Sequence, residues 1–144
     1  MLTTKEFFQK LNKETMHLVD EFYDQDILFR DPLVEIKNRR DMKSYYEKLY
    51  GNVETIAWEF ADEIREGNHS TLVWKMILTA KNLNGNKPIY LDGVSVITFG
   101  AKEGKAIYHR DYFDMGAFVY EGIPLLGTVI RYIKKKMHET KRSE

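Results

Sequence analysis

The pattern of apolar positions predicts three helices in the first part of the chain. In each of them the apolar residues recur every three or four positions, which gives a helix one apolar face. Residues that favour helix ends stand at their boundaries. Thr3-x-x-Glu6 can form a capping box at the start of a helix over 4–12, and Asn12 can cap a second helix. Asp41 can cap a third helix that runs through Leu49, with Gly51 just beyond as its stop.

Alternation of apolar and other residues predicts strands in the middle of the chain. In the first of them Trp58 and Ile64 share the predicted inner face, and in the second Trp74 and Met76 do. The predicted long strands span 55–65, 70–81, 88–99 and 105–114. A shorter β-prone stretch ends earlier, at the turn expected for Asp31-Pro32.

The order of these elements predicts the fold class. Helices come first, then four long strands, then an amphipathic helix over 123–138. This order indicates an α+β protein with a curved, mostly antiparallel sheet wrapped around the N-terminal helices. No repeat or linker interrupts the sequence, so we treat 1–144 as a single domain.

Composition narrows the class of protein further. The chain has 144 residues, of which 43% are apolar and 31% charged, as in globular domains. Lys+Arg and Asp+Glu both number 22, which disfavours a globally basic nucleic-acid binder. The lack of cysteine excludes disulfides, thiol nucleophiles and cysteine-ligated zinc. No apolar run has the length of a membrane span and the N-terminus has no signal core, so we expect a cytoplasmic location.

Three strings of residues carry a resemblance to a known superfamily. Phe22-Tyr-Asp-Gln-Asp26 and Arg30-Asp31-Pro32 resemble ketosteroid isomerases, and Arg110-Asp111-Tyr112-Phe113-Asp114 resembles limonene-epoxide hydrolases. Residues 4–115 as a whole are similar to the nuclear-transport-factor-2-like superfamily and, within it, to SnoaL-like proteins. The resemblance implies a cone over 4–115 with a deep pocket for an apolar small molecule, a helical extension over 116–144, and a homodimer formed through the open sheet surface.

The resemblance implies two carboxylates at the site. Asp31 corresponds to the isomerase's proton-shuttling carboxylate, and Asp111 to the hydrolase's water-activating aspartate. The isomerase's two oxyanion donors correspond to Phe7 and Ser95, so both strong donors are missing. Such donors each contribute about 3–4 kcal/mol in comparable oxyanion sites. The isomerase reaction therefore lacks a part that it needs.

This sequence also lacks the hydrolase's other polar groups at the corresponding positions. Its water-holding tyrosine corresponds to Phe29, and the Arg and Asp that protonate the epoxide oxygen correspond to Trp74 and Met76. One fold hosts many functions. The resemblance therefore implies the pocket without deciding the reaction.

Alternation on the last strand places two titratable residues on one face. Ile107, His109, Asp111 and Phe113 share that face, which the resemblance puts inside the cone, and Asp31 would project from the opposite wall. Carboxylates in an apolar pocket have raised pKa values and suit acid–base chemistry near neutral pH. We therefore hypothesise that Asp31 is a base, that Asp111 is a second carboxylate or holds water, and that His109 tunes or shares the proton.

Structural alternatives remain for each of these residues. Asp31 can cap backbone N–H groups of its turn, Asp111 can form an ion pair that serves only the fold, and His109 can be a hydrogen-bonded core histidine. The same three residues could form a facial metal triad, but the resemblance puts Asp31 across a cavity, so we expect no metal and no cofactor. One of Tyr45 and Tyr46 could supply a hydroxyl in place of the missing oxyanion tyrosine.

The aromatic content suits the wall of such a pocket. The sequence has 9 Tyr, 8 Phe and 2 Trp, more than a small core usually needs. The expected wall residues are Phe7, Phe29, Trp58, Trp74, Met76, Ser95, Phe99 and Phe113. Whether these side chains surround a ligand or fill the cone stays open at this point.

The leading functional hypothesis is a small enzyme without a cofactor. It would isomerise, cyclise or hydrate an apolar small molecule. The alternatives are a non-catalytic ligand-binding or accessory protein, and a dimeric protein-interaction domain. The C-terminal cations at 134–136 are expected to complement a helix dipole rather than to bind a membrane surface. No aromatic base-stacking pattern accompanies them, so we expect no nucleic-acid partner.

Overall fold

A computed structural model describes residues 2–81, 85 and 87–114 of the chain. The described helices are α1 (Thr4–Lys10), α2 (His17–Phe22) and α3 (Arg39–Tyr50). The described strands are β1 (Tyr23–Arg30), β2 (Glu35–Ile36), β3 (Val53–Phe60), β4 (Ile64–Glu66), β5 (His69–Ala80), β6 (Ile89–Phe99) and β7 (Ala106–Phe113). The predicted final helix over 123–138 and the extension over 116–144 lie outside the described residues.

The strands form one curved sheet in the order β2-β1-β7-β6-β5-β3, with β4 paired to β5. Neighbouring strands run antiparallel except β1 and β7, which are parallel. The three helices pack on the concave face of this sheet, where Phe8 of α1 stacks on Trp58 of β3 at 5.0 Å between ring centroids. The predicted α+β class with a curved, mostly antiparallel sheet around N-terminal helices is confirmed.

Local hydrogen bonds decide where the helices begin and end. Thr3 caps α1 by accepting the N–H of Glu6, as expected, but α1 ends at Lys10 because the chain becomes extended at Leu11. The predicted cap of the second helix is wrong. Asn12 accepts the N–H of Glu14 in a turn, and α2 begins only at His17.

The cap of α3 is also displaced from the prediction. Asn38 is the cap, because its Oδ1 accepts the N–H of Asp41 at 2.8 Å. Its Nδ2 in turn donates to the Asp41 carboxylate at 3.0 Å. Asp41 is therefore the third residue of the helix and the partner of the cap: its backbone N–H is paired with Asn38, and its carboxylate accepts the Asn38 side-chain amide.

Two bulges change which side chains point inward. The predicted strand over 55–65 is broken after Phe60, since Phe60 pairs with Trp74 and Ile64 pairs with Thr71. Three residues on one strand therefore oppose two on the other, which reverses the facing of the side chains that follow. Ile64 is consequently 71% exposed and does not share the inner face of Trp58.

The second bulge lies at the start of β7. Thr98 pairs with Tyr108 and Phe99 pairs with Ala106, so Ile107 is the extra residue. Ile107 is 40% exposed, against the prediction that it faces inward, while Ala106 and His109 are buried. The bulge thus moves one residue outward and leaves the facing of His109 as the alternation predicts.

The convex face of the sheet carries several apolar side chains. Val73, Val94 and Tyr112 lie side by side on β5, β6 and β7, because their backbones are register partners. Val73 and Tyr112 are exposed, and Val94 between them is half-buried. Tyr90 is exposed on the same sheet. A homodimer formed through this surface stays a prediction. In the described part of the chain, none of the helices has the length and apolarity that crossing a bilayer requires.

Candidate functional site

A cavity lies between α3 and the concave face of the sheet. Its volume is about 100 Å³. A single buried water needs about 10–15 Å³ on such a scale, and an engineered apolar cavity of about 150 Å³ binds benzene. The lining residues are Phe8, Leu11, Phe29, Asp31, Leu33, Val34, Tyr45, Tyr46, Leu49, Tyr50, Val53, Ile56, Trp58, Trp74, Met76, Leu78, Leu91, Asp111 and Phe113. The volume is of the same order as that of the benzene-binding cavity, and two carboxylates, those of Asp31 and Asp111, line it.

Asp31 reaches this cavity from the end of β1. Its Oδ1 accepts the N–H of Leu33 at 2.7 Å and the N–H of Val34 at 2.8 Å, which closes the turn around Pro32. Its Oδ2 accepts the hydroxyl of Tyr45 at 3.3 Å. Asp31 is only 8% exposed, and desolvation raises its pKa.

Two further effects act on the pKa of Asp31. The backbone hydrogen bonds from Leu33 and Val34 oppose the rise, because they favour the ionised form. The negative charge of Asp111 adds to the rise. The net effect is upward, so a larger fraction of Asp31 is protonated near neutral pH than of an ordinary aspartate.

Asp111 reaches the cavity from β7 and is held through one of its two oxygens. Its Oδ1 lies 2.6 Å from Nε2 of His109 and accepts the hydroxyl of Ser95 at 2.5 Å. Ser95 is its register partner on β6, and the Ser95 hydroxyl in turn accepts the indole N–H of Trp74 at 2.9 Å. The other oxygen, Oδ2, has no hydrogen-bond partner among the described residues. The Asp111 side chain is 17% exposed.

His109 is fully buried behind Asp111. Its Nδ1 lies 2.8 Å from the hydroxyl of Tyr23, and that hydroxyl lies 2.9 Å from the hydroxyl of Tyr46. Burial raises the pKa values of Tyr23 and Tyr46 well above their usual range, and their negative neighbour Asp111 contributes to both rises. The two tyrosines therefore stay protonated and can donate hydrogen bonds at any physiological pH.

The structure brings most of the predicted site residues together. Asp31 and Asp111 line the one cavity, and His109 contacts Asp111 from behind. Among the predicted wall residues, those that line the cavity are Phe29, Trp58, Trp74, Met76 and Phe113. The Nε1–H of Trp58 is buried and has no hydrogen-bond partner in the described structure.

Three expected wall residues lie elsewhere. Phe7 points away from the cavity and stacks on Phe22 at 4.3 Å, since the rotation of α1 turns Phe8 toward the sheet instead. Phe99 lies near the far end of β6, under the guanidinium of Arg65 at 4.7 Å. Ser95 is fully buried behind Asp111, where it supports the carboxylate without lining the cavity.

Tyr23 is the hydrogen-bond partner of His109 that sequence reasoning missed. It lies at the junction of α2 and β1, four residues before the β-prone stretch over 27–29. The alternation of that stretch therefore does not indicate which way the Tyr23 side chain points. The expectation for Tyr45 and Tyr46 was one pocket hydroxyl, whereas both side chains line the cavity.

The same residues do not form a metal site. Within the described ranges, no three His, Asp or Glu side chains converge on a point that a metal ion could occupy. Asp31 is engaged by backbone N–H groups, while His109 and Asp111 are engaged with each other. The facial triad considered from the sequence therefore has no support in this geometry.

Comparison with known proteins assigns the family. The family model of the SnoaL-like domain matches residues 4–109. The chain belongs to the SnoaL-like domain family. A search of curated proteins finds no match.

Solved structures share the SnoaL-like fold at low sequence identity. A candidate SnoaL-like polyketide cyclase from Shewanella denitrificans has 13% identity and a TM-score of 0.66, with 76% of this chain and 86% of that chain covered. An LEH-like epoxide hydrolase from M. tuberculosis has 17% identity and a TM-score of 0.62, with 77% and 79% covered. A candidate isomerase from Rhodopseudomonas palustris has 13% identity and a TM-score of 0.69, with 82% and 90% covered. At these identities the likeness concerns the fold.

Proposed function

We propose that this SnoaL-like protein is a cofactor-independent enzyme that moves protons on an apolar small molecule bound in the cavity. The reaction class is isomerisation, cyclisation or water addition. One observation carries the proposal: Asp31 and Asp111 line the same apolar cavity from different strands. A carboxylate pair of this kind can remove a proton at one position of a ligand and return it at another, or activate a water beside it.

Asp111 is the better placed of the two to act as a base. Its Oδ1 is engaged by His109 and Ser95, so the carboxylate is held in one orientation and Oδ2 remains for a ligand or water. Ser95 and His109 are therefore positioning residues for Asp111.

Asp31 supplies the second proton-transfer group. Desolvation raises its pKa, and the nearby charge of Asp111 adds to the rise, so protonated Asp31 is available as an acid. The proposed reaction classes agree with the names of three proteins that share the fold, a candidate polyketide cyclase, a candidate isomerase and an LEH-like epoxide hydrolase.

A second candidate function is non-catalytic binding of the same class of ligand. The observation that favours it is the set of three hydrogen bonds on Asp31, from Leu33, Val34 and Tyr45, which would suit a purely structural carboxylate. The missing oxyanion donor at Phe7 favours it too. The two candidates differ in whether the carboxylates exchange protons with the ligand.

Deuterium exchange tests the proposal without knowledge of the substrate. The protein is incubated in D₂O with a panel of small cyclic ketones, enones and epoxides, and deuterium incorporation and hydration are followed by mass spectrometry. We expect turnover of at least one panel member, and a loss of about 10²–10⁴-fold in Asp111→Asn. Asp31→Asn should also slow the reaction, because it removes the second acid–base group.

The matched control is Asp92→Asn. Asp92 lies on β6 near Ser95 but is exposed on the opposite face of the strand, so its replacement should leave the rate unchanged. Equal rates in wild type, Asp31→Asn and Asp111→Asn would remove both carboxylates from the mechanism. Ligand binding with no exchange or hydration for any panel member would instead support the non-catalytic candidate.

A further inference from the structure

The wall of the cavity between α3 and the sheet has acidic side chains without basic ones. The described residues that line it include two aspartates, Asp31 and Asp111, and no lysine, arginine or histidine. His109 contacts Asp111 from behind and supplies at most one positive charge. Two ionised carboxylates therefore exceed the positive charge beside them, whichever protonation state His109 has.

Each of the two carboxylates keeps one oxygen with unused capacity to accept hydrogen bonds. Oδ1 of Asp31 accepts two backbone N–H groups, and Oδ1 of Asp111 is engaged by His109 and Ser95. A carboxylate oxygen accepts about two hydrogen bonds, so both Oδ1 atoms are filled. Oδ2 of Asp31 accepts only the hydroxyl of Tyr45, and Oδ2 of Asp111 has no partner among the described residues. These remaining acceptors suit a ligand that donates hydrogen bonds from a positively charged group.

The pKa values of three cavity tyrosines reflect the same negative charge. Burial raises the pKa of Tyr45, Tyr46 and Tyr50, and the charge of Asp111 adds to each rise. The charge of Asp31 also adds to the rise at Tyr45 and at Tyr46. The field of the two carboxylates therefore extends across the α3 side of the cavity, where it attracts a cation.

Aromatic rings supply a second means of binding a positive charge. Both tryptophans of the chain, Trp58 and Trp74, line the cavity and meet edge-on at 5.3 Å between ring centroids. Phe29 and Tyr45 also line it, with their rings 5.9 Å apart. The face of an aromatic ring attracts a cation, most strongly for tryptophan and where water is excluded. The wall therefore combines carboxylates with the rings that cations favour.

A neighbouring cavity on the solvent side has more acidic than basic side chains as well. It has a volume of about 220 Å³ and shares Tyr50 and Ile56 with the first cavity. The charged residues that line it in the described structure are Lys13, Glu14 and Glu54, all of them exposed. A cleft with an excess of one charge attracts ligands of the opposite charge. Approach from this side therefore favours cations over anions.

We propose that the ligand of the cavity is a ring compound with a protonated nitrogen, an ammonium or iminium group, which binds between Asp31, Asp111 and the tryptophan rings. The proposal rests on the proposed function, because it names the substrate class for the same cavity. The ring occupies the apolar part of the wall, and the N–H groups donate to the Oδ2 atoms of the two carboxylates.

A positively charged nitrogen also suits proton removal beside two carboxylates. Removing a proton next to a carbonyl group produces an oxyanion, which nearby negative charges disfavour. Next to an iminium group, the electron pair of the broken C–H bond forms the new C=C bond and the C=N π pair becomes the nitrogen lone pair. The proton passes to Asp111, and the product is a neutral enamine. The ligand therefore loses its charge in the step instead of gaining a negative one.

The test compares three ring compounds that differ in charge. Cyclohexylamine is a cation near neutral pH, cyclohexanol is neutral and cyclohexanecarboxylate is an anion. Each is titrated into the full-length protein, and binding is followed by tryptophan fluorescence, because both tryptophans line the cavity. We expect the amine to bind about tenfold more tightly than the alcohol, a factor within reach of a charge-assisted hydrogen bond, and the carboxylate to bind most weakly.

Three variants test whether the carboxylates cause the preference for the amine. Asp31→Asn and Asp111→Asn should each lower the ratio of amine to alcohol affinity, and retained alcohol binding shows that the cavity still forms. If one of these variants does not bind the alcohol, the other decides. Asp92→Asn is the matched control and should keep the full preference, because Asp92 is exposed on the opposite face of β6.

The outcomes separate this inference from the proposed function. The inference is overturned if the alcohol binds as tightly as the amine, if the carboxylate binds most tightly, or if none of the three compounds binds. A preference for the amine that is undiminished in Asp31→Asn and Asp111→Asn also overturns it. In each of these cases the exchange assay still decides the proposed function. A preference that depends on the carboxylates, without exchange on the panel or on cyclic imines added to it, supports the ligand class and refutes the proposed catalysis.

Discussion

Replacing Gly93 with alanine should destabilise the protein and disturb the support of Asp111. Gly93 lies on β6 directly opposite Trp74, whose ring lies over it. A Cβ at Gly93 would fall 2.3 Å from two carbons of that ring, Cη2 and Cζ2, and 2.8 Å from Cζ3. Ordinary carbon contacts are about 3.5–4.0 Å, so the ring would have to move by about an ångström or more.

Trp74 has little freedom to make that move. Its indole N–H donates to Ser95, and its ring packs edge-on against Trp58 at 5.3 Å. Overpacking of a core costs about 1–3 kcal/mol, and a lost hydrogen bond about 1 kcal/mol. We therefore expect Gly93→Ala to lower the free energy of unfolding by about 2–4 kcal/mol.

Urea unfolding measures this loss, with the midpoint expected to fall and the slope to stay constant. Gly100→Ala is the control. Its Cβ would meet Cγ2 of Ile107 at 2.9 Å, but that side chain is partly exposed and can turn toward solvent. Gly93→Ala should cost less free energy of unfolding in a Trp74→Phe background than in wild type, because the smaller ring leaves room for the Cβ. A Gly93→Ala protein within 0.5 kcal/mol of wild type, a margin typical of uninvolved surface positions, would refute the reasoning.

Two further predictions concern stability at Asp31 and at the start of α3. The pKa of Asp31 is raised in the folded protein, so the folded protein binds the carboxyl proton of Asp31 more tightly than the unfolded chain does. This tighter binding stabilises the fold fully below the unfolded pKa of about 3.9, and the stabilisation is lost as pH rises through the folded pKa. The unfolding free energy of Asp31→Asn relative to wild type should therefore increase as pH rises from about 4 toward 7 in urea titrations. Asn38→Ala should lower the unfolding free energy by about 1 kcal/mol, because it removes the cap of α3. Asn38→Ser should retain part of that free energy, because a serine hydroxyl can accept the same N–H of Asp41.

Each of these two predictions has a result that contradicts it. A difference between Asp31→Asn and wild type that stays constant or decreases over this pH range would show that the proton on Asp31 is not held more tightly in the folded state. Equal stability of Asn38→Ala and wild type, measured at the same pH, would show that the hydrogen bonds between Asn38 and Asp41 contribute nothing measurable.

The sequence was enough to predict which side chains of a regular strand point toward the core. Leu72, Trp74 and Leu78 are buried on one side of β5, as the alternation indicates. Successive side chains of a strand point to opposite faces, so this information is local. The turn at Asp31-Pro32 is local for the same reason, because its hydrogen bonds join residues two and three positions apart.

The positions of the bulges could not be predicted in this way. Ile64 and Ile107 have the spacing of inward residues, yet both are exposed. The extra residue at each bulge exists only relative to the strand beside it, β5 for the first and β6 for the second. Which side chains point inward after a bulge therefore depends on strand pairing between distant parts of the chain.

The sequence by itself determined the fold class, the inner face of β5, and Asp31 and Asp111 as candidate site residues. Only the tertiary structure decided what surrounds those carboxylates. Tyr23, Tyr46 and His109 come from β1, α3 and β7, and they meet because the helices pack into the concave face of the sheet. A hydrogen bond requires two atoms within about 3 Å, and periodicity along the chain carries no information about distances between separate elements.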